Sequence, residues 1–116
     1  MPAAALRISA ILGFHAVALG AFGAHGLHDV LEKSGRIATW ETAAHYHLAH
    51  AVLLFVVATL QPFRRVAWVL LFAGVLIFSG SLYTLALTNV KWLGAITPFG
   101  GLSLLAGWLA LAVGKK

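Results

Sequence analysis

Four apolar stretches, residues 6–27, 40–61, 66–88 and 92–113, take up most of this chain, and the last two hold no charged side chain at all. A helix rises 1.5 Å per residue, so about 22 residues reach about 33 Å, enough to cross the hydrocarbon core of a bilayer. Charged residues make up 9% of the chain, against about 25% in soluble domains. A soluble fold of 116 residues has too much surface for its volume to hide side chains that are 61% hydrophobic. The expected fold is all-α: one transmembrane domain over 1–116, an integral membrane four-helix bundle with a short interfacial amphipathic segment at 28–39.

Local signals set the boundaries. Arg7 ahead of an apolar run has the look of a secretory leader, but the run outlasts a leader's 7–15-residue core and reads as a retained anchor. Asp29, with Glu32 three residues on, reads as a helix cap, and Ser34-Gly35 as its break. Pro62 closes the second span. Thr97 reads as the cap of a helix with Pro98 first. From Pro98 to Val113 that helix covers about 24 Å, short of a ~30 Å core, so 92–97 is expected to be partly unwound.

Charge orients the bundle. Arg7, Arg64, Arg65, Lys115 and Lys116 gather at one end; Lys33, Arg36 and Lys91 lie at the other with all three acids, Asp29, Glu32 and Glu41. The basic excess predicts both termini in the cytoplasm and the histidine-rich segment outside, with Trp40, Trp68 and Trp92 as interfacial anchors. The net charge of +5 lies between apolar spans rather than on a basic face, which argues against nucleic acid as a partner. Cysteine is absent, so no disulfide or thiolate chemistry is available.

Helices associate in lipid by close approach and hydrogen bonds. Ser9, Gly13, Ala16, Gly20 and Gly23 recur at intervals of four and three and share one face of the first span, read as a helix–helix seam. Gly74, Ser79, Gly80 and Ser81 offer small residues on span three, and Gly100, Gly101, Ala106 and Gly107 on span four.

All six histidines fall between residues 15 and 50. Imidazole binds zinc and copper, and His25 with His28, and His47 with His50, repeat a three-residue spacing that puts each pair on one helix face. A metal site of His25, His28, His47 and His50 for Zn or Cu, open to the outside, is one reading. The plainer reading has His28 and His45 solvated while His25 and His50 bond between helices; a third is proton handling. His15, near mid-bilayer, is expected to bond a neighbouring helix. Mid-span Ser79, Ser81 and Tyr83 form a second polar cluster, and Thr97 through Gly101 a third. No intramembrane carboxylate is present to prime a serine–histidine pair, which argues against a hydrolase and against an enzyme generally.

Gly20 through Leu27, Tyr46 with His50-Ala51, Phe78 through Tyr83, Thr97 through Gly101, and Gly107-Trp108 occur in that order. In these motifs the chain resembles the YgdD-like family of small membrane proteins, whose eukaryotic relatives are called transmembrane protein 256. The resemblance implies a short helical protein of the bacterial inner membrane, and implies no activity or cofactor. His25 and His50 fall inside the shared motifs; His15, His28, His45 and His47 fall outside them.

The favoured function is a binding or scaffold protein. A polar pocket of His25, His50, Ser79, Ser81, Tyr83 and Thr97 would hold a lipid, a quinone-like molecule or a partner helix. The alternatives are the outward histidine metal site and an oligomeric small transporter or channel, the last disfavoured because every acid lies between residues 29 and 41.

Overall fold

A computed structural model describes residues 2–114; Lys115 and Lys116, used above in the charge count, lie outside them. The described residues form α1 (Ala3–Ala24), α2 (His28–Ser34), α3 (Ile37–Thr59), α4 (Arg65–Thr88), a 3-10 turn (Lys91–Ala95) and α5 (Thr97–Val113). Four segments are long and apolar enough to cross a membrane, the last made of the 3-10 turn and α5 together. The chain is an integral membrane protein, all-helical, with spans in alternating directions.

Neighbours in the bundle follow chain order. The backbone of α1 packs on α3, α3 on α4, and α4 on α5, while among the described residues α1 approaches neither α4 nor α5, and α5 does not approach α3. The Cα envelope is correspondingly flat, 47 × 26 × 18 Å. α3 and α4 form the buried spine, with Leu54, Val57, Ala58, Leu71 and Val75 almost fully enclosed between the outer helices. α1 and α5 turn most of their surface to lipid, including Ile11, Phe14, Leu105 and Leu109.

The small residues act in part where they were expected to: Gly20 and Gly80 have nothing within 4 Å of an added methyl, and Ala106 is exposed. Ser9, Ala16 and Gly23 of α1 are buried, with the Trp40 ring of α3 lying where a side chain on Gly23 would sit. The α4–α5 seam is tighter. A Cβ on Gly74 would lie 2.7 Å from Leu104 Cδ2, one on Gly107 would lie 2.6 Å from Leu71 Cγ, and one on Gly100 would run into the backbone of Phe78. In lipid such close approach replaces the hydrophobic drive that water provides.

Several local expectations need correction. α1 stops at Ala24, with His25 in the turn beyond it and His28 opening α2, so these two histidines do not share a helix face. α2 starts at His28 with no side-chain cap; Asp29 instead sits in its first turn, where its charge suits the helix N-terminus. Gly35 does end α2, at φ 73°, a left-handed conformation that suits glycine. Nor does α2 merely lie on the interface: Leu31 is buried against Trp40 and Ala86, so the helix folds back over the ends of α3 and α4. Thr97 does not cap α5, because its hydroxyl turns to the Leu93 carbonyl and to Ser81. The unwinding at 92–97 is realised as the 3-10 turn.

The seam predicts an asymmetry between glycines. Gly100→Ala should lower the free energy of unfolding in mixed detergent micelles, followed by circular dichroism, by about 1–3 kcal/mol through overpacking. Gly80→Ala, with nothing within 4 Å of the added methyl, should cost nothing and gain up to about 1 kcal/mol of helix propensity. Equal losses at the two sites would contradict the seam.

Candidate functional site

Polar side chains inside the bundle first serve to join helices. Trp40 Nε1–H donates to the Leu19 carbonyl at 2.9 Å, tying α3 to α1. Trp68 Nε1–H donates to Ser9 Oγ at 3.1 Å, reaching from α4 to α1, and Ser9 in turn donates to the Ala5 carbonyl. Ser79 donates to the Ala43 carbonyl, Ser103 to the Leu70 carbonyl, and Ser81 meets the Thr97 hydroxyl at 2.6 Å. Trp40 and Trp68 are therefore buried core residues, at 3% and 7% exposure, and not the interfacial anchors their positions suggested; Trp92 lies in the 3-10 turn and is exposed. Hydrocarbon offers no partner to a free N–H or O–H, so each bond removes a cost that water would otherwise have absorbed.

The six residues expected to line one pocket are distributed. His25 is exposed at the α1–α2 corner. His50 lies between α3 and α5, Tyr83 and Ser79 between α3 and α4, and Ser81 with Thr97 between α4 and α5. The four histidines weighed as metal ligands are likewise apart: His25 and His28 are exposed, His47 and His50 buried. Among the described residues no three His, Asp or Glu side chains are grouped as metal ligands. His28 faces Glu32 at 3.6 Å, both side chains largely in solvent, an arrangement that adds little. His15 bonds its own helix, at the Ile11 carbonyl, instead of a neighbour.

Two crevices lie along the diagonals, where the backbones of α1 and α4, and of α3 and α5, stay apart and only side chains meet. The α3–α5 groove has a volume of about 520 Å³. Its walls are the rings of Tyr46, Phe78 and Trp108, and its floor includes Gly101 and Leu104. Tyr46 stacks parallel to His50 at 5.9 Å and packs on Phe78 at 4.7 Å. His50 is held by two bonds whose direction is settled by chemistry. The Tyr46 carbonyl only accepts, so Nδ1 carries the hydrogen; the Trp108 indole only donates, so Nε2 accepts it, at 3.1 Å. Both ring nitrogens are satisfied, and the ring is held in the lining of the groove.

The α1–α4 crevice is smaller, about 230 Å³, and is lined by His15, His47, Ser79 and Tyr83 among Leu12, Leu19, Val75 and Leu76. Here Trp68–Ser9 is the bridge at the basic end. Sequence reasoning gave Trp108 no role beyond a shared motif, and it weighed His47 as a metal ligand rather than as the partner of Tyr83. For Trp108 the signal was an indole in mid-helix, which needs an acceptor.

An all-helical integral membrane protein with four spans is the class the fold defines. The chain belongs to the family described as "Protein of unknown function (DUF423)", whose model matches residues 19–101. It is 42% identical over 113 residues to UPF0382 membrane protein YwdK of Bacillus subtilis, covering 91% of this chain and 90% of that one. It is 44% identical over 110 residues to UPF0382 membrane protein SH2409 of Staphylococcus haemolyticus, covering 91% and 89%. Against UPF0382 inner membrane protein YgdD of Escherichia coli the identity is 39% over 114 residues, covering 94% and 86%. No solved structure matches.

The bonding at His50 predicts an Nδ1–H tautomer, visible as its nitrogen shift pattern in histidine-labelled protein by 15N NMR. Trp108→Phe should strip the only donor from Nε2 and cost about 1–3 kcal/mol in the micelle unfolding assay. An Nε2–H signal for His50 in the unsubstituted protein would contradict the assignment.

Proposed function

We propose that this chain is a lipid-holding protein of the bacterial inner membrane, and that the α3–α5 groove seats the apolar tail of a membrane lipid or quinone-like amphiphile. The groove carries the reading. Its volume of about 520 Å³ lies within the range of small-molecule sites, which are mostly apolar with a few fixed polar groups. The occupant is taken to be a tail because His50 and Trp108 satisfy one another, leaving no buried polar atom of that pair for a headgroup. Aromatic walls offer flat faces to an acyl or isoprenoid chain. Lateral entry from the bilayer needs no opening, since α3 and α5 are already apart.

Gly101 offers a direct test. It lines the groove, and a methyl there would meet only the Phe78 ring, at 3.8 Å. Gly101→Leu should thus fill the groove while the bundle still folds. Native mass spectrometry of protein released from nanodiscs should show lipid retained by the unsubstituted protein and reduced about tenfold in Gly101→Leu, equivalent to about 1.4 kcal/mol of lost affinity. Equal retention by both, or none by either, refutes the reading.

The same reading places both termini in the cytoplasm. Arg7, Arg64 and Arg65 lie at one end of the spans, the end from which α1 starts and at which α5 finishes, and the positive-inside bias supports that end as cytoplasmic. A green fluorescent protein fused after residue 116 should therefore fluoresce, and a periplasmic alkaline phosphatase fused there should be inactive. The opposite pair of results would invert the topology.

A further inference from the structure

Between α1 and α3, at the end of the bundle that carries the three acids, two concavities share Gly20, Glu41 and Ala44. The upper one, about 300 Å³, is bounded by α2 through His28 and Leu31. The lower one, about 460 Å³, continues along the lipid-facing side past Val17, Ala21 and Leu48. From Glu41 to Leu48 it descends about 10 Å toward mid-bilayer. Two features of the junction have no explanation in helix packing. Gly20 lies inside α1, where glycine is a poor helix former, yet nothing comes within 4 Å of the place its side chain would take. No neighbouring helix uses the gap. Glu41 lies one turn inside the span of α3, where a carboxylate is costly without a partner. Among the described residues no Lys, Arg or His nitrogen comes within 4.0 Å of it. Arg36, the cation that precedes it in the chain, donates to Asn89 instead.

We infer that this junction binds an aminophospholipid of the phosphatidylethanolamine type. Its headgroup occupies the upper concavity, with the primary ammonium donating to Glu41, and an acyl chain follows the lower one. An ammonium offers three N–H donors and the charge that the carboxylate lacks. A choline headgroup has the charge but no N–H, and a glycerol phosphodiester brings a net negative charge to an end that already holds Asp29, Glu32 and Glu41. A divalent cation lacks ligands, since among the described residues no three His, Asp or Glu side chains are grouped for one. The apolar groove continuous with the polar notch favours a lipid over a free amine. This site lies on a different helix pair from the α3–α5 groove and stands or falls without it.

The test uses the full chain in phosphatidylcholine nanodiscs with traces of two photoreactive probes, phosphatidylethanolamine and phosphatidylcholine, each with a diazirine in the acyl chain. The ethanolamine probe should label residues 16–21 about tenfold more than the choline probe, the equivalent of one hydrogen bond to a charged group. Both should label Leu87 equally, a lipid-facing residue at the same end of the bundle. Glu41→Gln, a change of similar size at an exposed position, should abolish the preference. Gly20→Leu, which fills the junction without meeting protein, should do the same, and Gly101→Leu should leave the preference intact. Phosphoethanolamine, the headgroup without its tails, should not compete when added in large excess. Equal labelling of residues 16–21 by the two probes, a preference that survives in Glu41→Gln, or displacement by phosphoethanolamine would each overturn the proposal, the last by assigning the notch to a free amine.

Discussion

A polar atom facing hydrocarbon must find its partner inside the protein, and the arrangement of this bundle depends on that requirement. Leucines and valines are as content against lipid as against each other, so they do not choose which helix lies beside which. The indoles do. Trp40 fixes α3 to α1 through a backbone carbonyl, Trp68 reaches from α4 past α3 to Ser9, and Trp108 reaches from α5 past α4 to His50. The last two span helix pairs whose backbones never approach. The bundle is a zigzag held at its open diagonals by two tryptophan bonds, and removing either would leave a buried donor or acceptor with no water to fall back on.

The glycine seams determine how close the remaining pairs come. At α4–α5, Gly74, Gly100 and Gly107 let Leu104, Phe78 and Leu71 of the facing helix occupy the space a side chain would take. That approach fixes the rotation of α5, and the rotation aims Trp108 at the His50 edge that can accept. Packing by small residues and bonding by indoles are thus one mechanism read at two lengths: the first sets the register within about an ångström, and the second uses it.

The fold was largely legible because its cause is compositional. Four apolar stretches, charged only by Arg7 and Glu41 near their starts and two of them bounded by Pro62 and Asn89, leave a membrane chain few alternatives. Ser9, Ala16 and Gly23 of the α1 stripe were legible from spacing alone, which places them on one face, while Gly20 on the same stripe meets nothing. What stayed hidden was partner choice. A tryptophan near a span end has two outlets for its N–H, a headgroup or a protein carbonyl, and nothing local to Trp40 or Trp68 separates them. The difference lies in whether a neighbouring helix arrives, which is a long-range fact. His25 and His28 failed for a more local reason: α1 ends one residue before His25, and a turn turned two supposed face-mates into strangers. The six-residue pocket dissolved because each of Ser79, Ser81, Tyr83 and Thr97 found its own partner across a helix pair.

His47 and His50 make the remaining argument. They are one turn apart on the same helix, both buried, and both are bonded at Nδ1. What separates them is the helix opposite. α5 brings an indole to His50 and closes its ring; α1 brings no side-chain bond to His47. A bundle selected only for stability has a simple remedy at position 47, a leucine or phenylalanine of similar size, because replacing a half-satisfied polar group by an apolar one removes a penalty and loses little. The chain keeps the imidazole and the penalty. It also keeps Tyr83 holding that imidazole in one orientation, with the ring tilted on Trp40 at 4.6 Å to brace it. His47 is thus held by Tyr83 at one edge and enclosed by the packing at the other, a buried polar group kept where an apolar one would fit.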